Sequence, residues 1–237
     1  MTGRVVPPLL RAWLGLISAL AALAVVALGV AYGGESEPGR ADARISAELL
    51  EEPGSGWRHF ALGVDFLGEP GGAAPLVLVL VAGCLVLRSR RGAVLLVAAA
   101  GTVVAAATLL KHVAGRTIHG DNLSYPSGHT AFLTSLAVVA ALLVTGRPGL
   151  GKGAGLAVVL GAALVAGAVM GWAQVALGAH YPTDVLGGWC LAVALTPAVA
   201  WVVDRTADHL TGTSGTQGTA GRSGGSGTAE REPRRPR

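Results

Sequence analysis

Only two cysteines occur in 237 residues, and neither Cys84 nor Cys190 stands in a spacing that makes a disulfide framework or a metal site. Each lies inside an apolar run and reads as a small core or lipid-facing residue. Charge is scarce as well, at 14% of residues against 51% hydrophobic, with a mean hydropathy of +0.56. A soluble helical protein would interleave charges along every helix; here long uncharged runs recur, which points to a membrane-embedded chain. The net charge of +4 carries no aromatic interleaving and no basic stripe, so no nucleic-acid partner is expected.

What the chain has instead is apolar length. Stretches at about Leu9–Tyr32, Ala73–Leu87, Ala93–Leu110, Ala131–Thr145, Ala154–Ala173 and Val185–Val203 predict an all-α bundle of six transmembrane helices. The second and fourth fall short of the roughly 20 residues a bilayer asks for, so adjoining loop residues must extend them. Arg4 and Arg11 lead the first span, Arg88, Arg90 and Arg91 separate the second and third, and Arg147 and Lys152 separate the fourth and fifth. With the arginines of the C-terminal tail, these place both termini in the cytoplasm of a multi-pass plasma-membrane protein. The N-terminal run also has features of a cleavable signal peptide, although its length favours a permanent span.

Three regions follow. Residues 1–72 hold the first span and an acidic outward loop, with Glu35, Glu37, Asp42, Glu48, Glu51, Glu52, Asp65 and Glu69. Within it Ile45, Leu49 and Leu50 have helical spacing, and Trp57, Phe60, Leu62 and Phe66 suit a headgroup-level anchor or an ordinary loop turn. Residues 73–205 form the membrane core. Residues 206–237 turn Gly-, Ser- and Thr-rich from Thr211 and are expected to be a disordered cytoplasmic tail. Gly151, Gly155, Gly161 and Gly167 permit close helix packing, within one chain or between chains, so the oligomeric state stays open.

The polar chemistry gathers in two outward loops, Leu110–Thr130 and Gln174–Gly188. Lys111 and Arg116 offer two cations for phosphate oxygens, or they snorkel to the interface. Ser127 fits an N-cap and Gly128 lets backbone N–H groups approach an anion at a helix start, with His129 next. His180 precedes Asp184 by one helical turn, with Pro182 suited to the first turn of the last helix. An aspartate that accepts from one imidazole nitrogen leaves the other to attack or to shuttle a proton. A metal centre is the rival chemistry, but it would want further ligands, of which only His112, His119 and Asp121 are near; no metal and no cofactor are expected.

The Pro126-Ser127-Gly128-His129-Thr130 motif, joined about fifty residues later by HYPTDVLGG, resembles the type 2 phosphatidic acid phosphatase (PAP2) superfamily. The likeness runs roughly from Ala73 to Val203 and implies a PAP2-like catalytic core. It implies that His180 attacks phosphorus to give a phosphohistidine with Asp184 orienting it, and that His129 protonates the leaving oxygen. Lys111, Ser127 and Gly128 would bind phosphate, with no metal. Two motifs depart from the family: Ile118 and His119 stand where Arg-Pro is expected, and Ala173 and Gln174 where Ser-Arg is expected. Arg116 is then the natural substitute, His119 an added donor, and Gln174 a neutral one. A hydrogen bond to a charged group contributes roughly 1.5–3 kcal/mol against about 1 for a neutral pair, so weaker phosphate binding or slower turnover is implied.

The function expected is hydrolysis of a lipid-linked phosphomonoester or pyrophosphate at the outer membrane surface, with the lipid as substrate and the bilayer as partner. The other readings are a non-catalytic lipid-phosphate binder or transporter of the same fold, and an oxyanion- or metal-dependent enzyme, because the superfamily resembles vanadate haloperoxidases at its phosphate pocket. Substrates rank as polyprenyl pyrophosphate, phosphatidic acid, phosphatidylglycerol phosphate and a lipid-linked sugar phosphate.

Overall fold

The computed structural model describes residues 5–50, 55–146 and 151–217. Arg4, Glu51, Glu52, Arg147 and the tail from residue 218 lie outside them. Eight helices are described: α1 Arg11–Tyr32, α2 Arg40–Leu50, α3 Ser55–Phe66, α4 Pro70–Val86, α5 Arg90–Ala114, α6 Gly128–Thr145, α7 Lys152–Ala176 and α8 Pro182–Gln217. A short hairpin, β1 Thr117–Ile118 and β2 Asn122–Leu123, interrupts them between α5 and α6.

Among the described residues, five helices are long and apolar enough to cross a membrane. A sixth crossing exists only if α3 and α4, bent by 61° at the break between them, count as one span. In the second span, α4 begins at Pro70, just ahead of its apolar stretch, and Gly68 and Pro70 break the helix between it and α3. The fourth starts at Gly128, just ahead of its apolar stretch.

The chain divides into two units, Met1–Asp204 and Arg205–Arg237. The second is helical through Gln217, where a tail without structure was expected from Thr211. Once a helix is nucleated, each added residue fixes one hydrogen bond at little further cost, so a polar sequence can continue it.

In the first unit the core is built from small and branched residues such as Leu95, Ala99, Val103, Val139, Leu142 and Val159. The polar pairs inside it are hydrogen-bonded, as a low-dielectric interior requires. Ser18 Oγ of α1 donates to the Val193 carbonyl of α8 (3.1 Å), Trp189 Nε1 to the Ala163 carbonyl (2.8 Å) and Thr196 Oγ1 to Ser135 Oγ (2.9 Å). At the end of the bundle opposite the two motif loops, Asp204 accepts from the amides of Val5 and Val6 (2.8 and 2.9 Å) and pairs with Arg91 (3.6 Å). Cys84 and Cys190 are buried and free. Leu16, Leu20 and Leu23 of α1 and Val94 and Val97 of α5 are exposed on the outside, which suits contact with lipid.

α2 and α3 fold over one end of this bundle. Ala61 and Val64 of α3 bury against Met170 and Ala173 of α7, and Trp57 and Phe60 stack on Trp172 at 5.9 and 5.8 Å between ring centroids. These aromatics, expected as a headgroup-level anchor or a loop turn, thus belong to a helix docked on α7, which fixes where the end of α3 lies.

Candidate active site

α5 ends at Gly115, whose φ of 63° is the left-handed cap conformation that frees the chain to turn back. The hairpin then carries it to Pro126, closed by the Ser124 amide on the Arg116 carbonyl (2.8 Å). Ser127 caps α6, its Oγ accepting from the Thr130 amide (3.4 Å) and lying 3.0 Å from Thr130 Oγ1. Because Ala131 bonds the Ser127 carbonyl, the amides of Gly128 and His129 have no partner inside the helix, and a Cβ at Gly128 would meet open space.

Two glycines explain why this loop lies flat on α8. A Cβ at Gly188 would run into the Ser127 carbonyl, and one at Gly187 into the Tyr125 ring. The Ser127 amide accordingly donates to the Asp184 carbonyl (2.9 Å), and the Tyr125 hydroxyl donates to the Val25 carbonyl of α1 (2.6 Å). Burial pushes the Tyr125 phenol up, so it remains a donor.

His180 follows the turn after α7, its amide on the Gln174 carbonyl (3.3 Å), and α8 starts at Pro182 as its ring predicts. Asp184, in the first turn, is wholly buried. Its Oδ2 accepts from the Tyr181 amide (3.1 Å) and stands 3.6 Å from His180 Nδ1, which is buried and has no hydrogen-bond partner. That separation is long for a hydrogen bond; catalytic pairs commonly tighten only once substrate is bound. With Nδ1 turned to the carboxylate, Nε2 is the free nitrogen.

Arg116 does not occupy the place expected of it. Its guanidinium is wholly buried, with Nη1 on Asp184 Oδ1 (2.7 Å) and Thr183 Oγ1 (2.6 Å), and Nη2 on Asp42 Oδ2 (2.8 Å). The rings of Tyr32 and Tyr181 cover it at 4.7 and 4.6 Å. Asp42 also accepts from the Thr183 amide (2.9 Å), capping α8. The fork-shaped cation is thus turned to Asp184, Thr183 and Asp42, and its buried Nε has no hydrogen-bond partner.

Gln174 also differs from expectation. It is buried, and its Nε2 donates to Asp65 Oδ1 (2.5 Å). The same Oδ1 lies 3.7 Å from His129 Nε2, a buried atom without a hydrogen-bond partner. His119, at φ 50° in the hairpin turn, places Nε2 on the Gly178 carbonyl (2.8 Å) and is exposed. Lys111 donates to the Leu123 carbonyl (3.0 Å), which leaves two of its three protons for another acceptor, and it lies within electrostatic reach of Asp184 and His129.

Asp42 and Asp65 escaped the sequence reading, where they counted only as loop charge. No local motif marks either; each is assigned by how α2 and α3 fold back.

A cavity of about 400 Å³ opens beside His180, lined by His119, Ile118 and Tyr181 and by Ala43 and Ser46 of α2. A separate apolar groove of about 590 Å³ runs between α4, α6 and α7, from Leu133, one turn beyond His129, to Val144 and Val158. Gly68, in the bend between α3 and α4, packs so closely on the His129 ring that a Cβ there would collide with it. Gly68→Ala is therefore expected to displace the imidazole and lower any activity that uses it by about 10²-fold, since misplacement on the order of 1 Å costs that much, while thermal unfolding in detergent stays near wild type.

Residues 92–208 match the family model of the PAP2 superfamily. The chain is 30% identical over 166 residues to phosphatidylglycerophosphatase B of Bacillus subtilis (strain 168), covering 65% of this chain and 79% of that relative. The crystal structure of a transmembrane PAP2-type phosphatidylglycerolphosphate phosphatase from Bacillus subtilis superimposes with a TM-score of 0.63 at 24% identity, over 81% of this chain and 96% of that one. On the relative's identity and coverage, with the family match over the very loops and helices that carry His129, His180 and Asp184, this chain belongs to the PAP2 superfamily of membrane phosphatases.

Proposed function

We propose that the protein hydrolyses the terminal phosphate of a lipid-linked phosphomonoester or pyrophosphate through a phosphohistidine on His180. The observation that carries this reading is the His180–Asp184 pair at 3.6 Å, with Asp184 fixed by Arg116 and the Tyr181 amide. His180 Nε2 forms a bond to phosphorus as the bond to the leaving oxygen breaks, and His129 delivers the proton that this oxygen takes up. Water then attacks the phosphohistidine, giving its proton to His129, and phosphate leaves. Lys111, the amides of Gly128 and His129, and the α6 dipole stabilise the phosphate oxygens.

A lipid substrate is supported by the groove that starts one turn from His129 and runs into the apolar depth of the bundle, where a hydrocarbon tail fits. The name of the Bacillus relative moves phosphatidylglycerol phosphate ahead of polyprenyl pyrophosphate and phosphatidic acid as the first lipid to try. The basic residues Arg88, Arg90 and Arg91, at the other end of α5, support a site on the non-cytoplasmic face.

One observation favours a second reading, binding without turnover: Arg116 and Gln174 both donate to carboxylates. Lipid labelled in its terminal phosphate separates the two. The enzyme is expected to release phosphate with EDTA present and to retain label on the protein when quenched in base, but not in acid, as a phosphohistidine does. Binding of the lipid with neither release nor retained label would establish the second reading.

A further inference from the structure

The site contains a second imidazole facing a carboxylate. Asp65 stands at the end of α3, held by the Gln174 amide at 2.5 Å, and its Oδ1 lies 3.7 Å from the unpartnered, buried Nε2 of His129. The arrangement is built from three separate elements. α3 docks on α7 through Ala61 and Val64, α7 supplies Gln174, and the bend after Phe66 lays Gly68 against the imidazole ring. Two features make the carboxylate effective. Asp65 is mostly buried, which strengthens its field, and the group holding it is a neutral amide, which fixes its position without cancelling its charge.

We propose that Asp65 is the positioning residue of the leaving-group acid: it holds His129 by Nε2 and stabilises its protonated form, while Gln174 fixes Asp65. This rests on the reading of His129 as the proton donor. With Nε2 turned to Asp65, Nδ1 is the nitrogen left to face the leaving oxygen. The site then has two imidazole–carboxylate pairs with opposite duties. His180–Asp184 keeps an imidazole free to attack, and His129–Asp65 favours the protonated form that donates. Gln174 thus serves the acid and not the phosphate, which accounts for a neutral side chain where an arginine would compete with His129 for the carboxylate.

Leaving-group chemistry tests this. An alkoxide departs only if protonated, whereas p-nitrophenolate departs without help. Leaving-group release in the first turnover, which reports phosphoryl transfer to the enzyme alone, is measured for phosphatidylglycerol phosphate and for p-nitrophenyl phosphate. Wild type, Asp65→Asn, Asp65→Glu, His129→Ala and His180→Ala are compared in detergent after confirmation of helical content and monodispersity. Asp65→Asn is expected to slow release from the lipid by about 10²-fold, the lower range for loss of a general acid, to leave the nitrophenyl ester within a few-fold, and to be partly rescued in Asp65→Glu. Equal slowing on both esters, or none on the lipid, with His129→Ala still selective for the lipid, would remove Asp65 from the acid's machinery and leave the phosphatase reading intact. Full activity of His180→Ala, or His129→Ala slowing both esters alike, would overturn the parent reading and this proposal with it.

Discussion

His180→Ala is expected to lower phosphate release from the lipid by roughly 10⁴-fold or more, the scale seen when an enzyme loses its nucleophile, while the protein remains folded. His180 sits in the turn between α7 and α8, its ring makes no hydrogen bond, and its amide bond to Gln174 survives the substitution, so little of the fold depends on the imidazole. The label retained after a base quench should disappear with the activity. Asp184→Asn should also be inactive, but for a different reason. The amide cannot hold the imidazole in the required tautomer, and it gives up the carboxylate that Arg116 needs. Release unaffected by His180→Ala would end the phosphohistidine assignment.

Arg116→Ala should have the largest effect on stability. Its removal leaves Asp42 and Asp184, both wholly buried, without their shared cation, and breaking a buried ion pair from one side costs about 3–5 kcal/mol. The protein is expected to unfold at a lower temperature in detergent and to lose activity together with α2's hold on the site. Arg116→Lys should restore little, because an ammonium cannot span two carboxylates and stack between Tyr32 and Tyr181. Asp42→Asn combined with Arg116→Ala should recover part of the loss, since one of the stranded charges is then gone. A monodisperse Arg116→Ala protein with wild-type turnover would show that this pairing does not support the site.

These two expectations differ in how far the sequence foresaw them. The pairing of His180 with Asp184 was readable because His180 lies just ahead of the helix start that Pro182 announces and Asp184 in the first turn after it, so spacing alone brings the groups together. The capping role of Ser127 was readable for the same reason. The carboxylate partners of Arg116 and Gln174 were not readable because Asp42 and Asp65 lie 74 and 109 residues away and belong to helices whose docking no local pattern encodes. As isolated sequence, a cation beside a phosphate motif reads as a phosphate ligand; in the folded chain Arg116 pairs with Asp184 of α8 and with a second carboxylate, Asp42, brought in from α2. The hairpin between α5 and α6 went unread because each of its strands is only two residues long.

By itself the sequence determined the class of molecule. Its apolar runs set the spanning helices, since in a bilayer every backbone polar group must be satisfied within the segment, and its two motif loops set the candidate reacting groups. The tertiary structure decided how those groups are tuned. Whether a cation is free or paired, and whether an imidazole faces a carboxylate, depends on which distant segment folds over it, and electrostatic interactions acquire their strength only where that packing has removed the water.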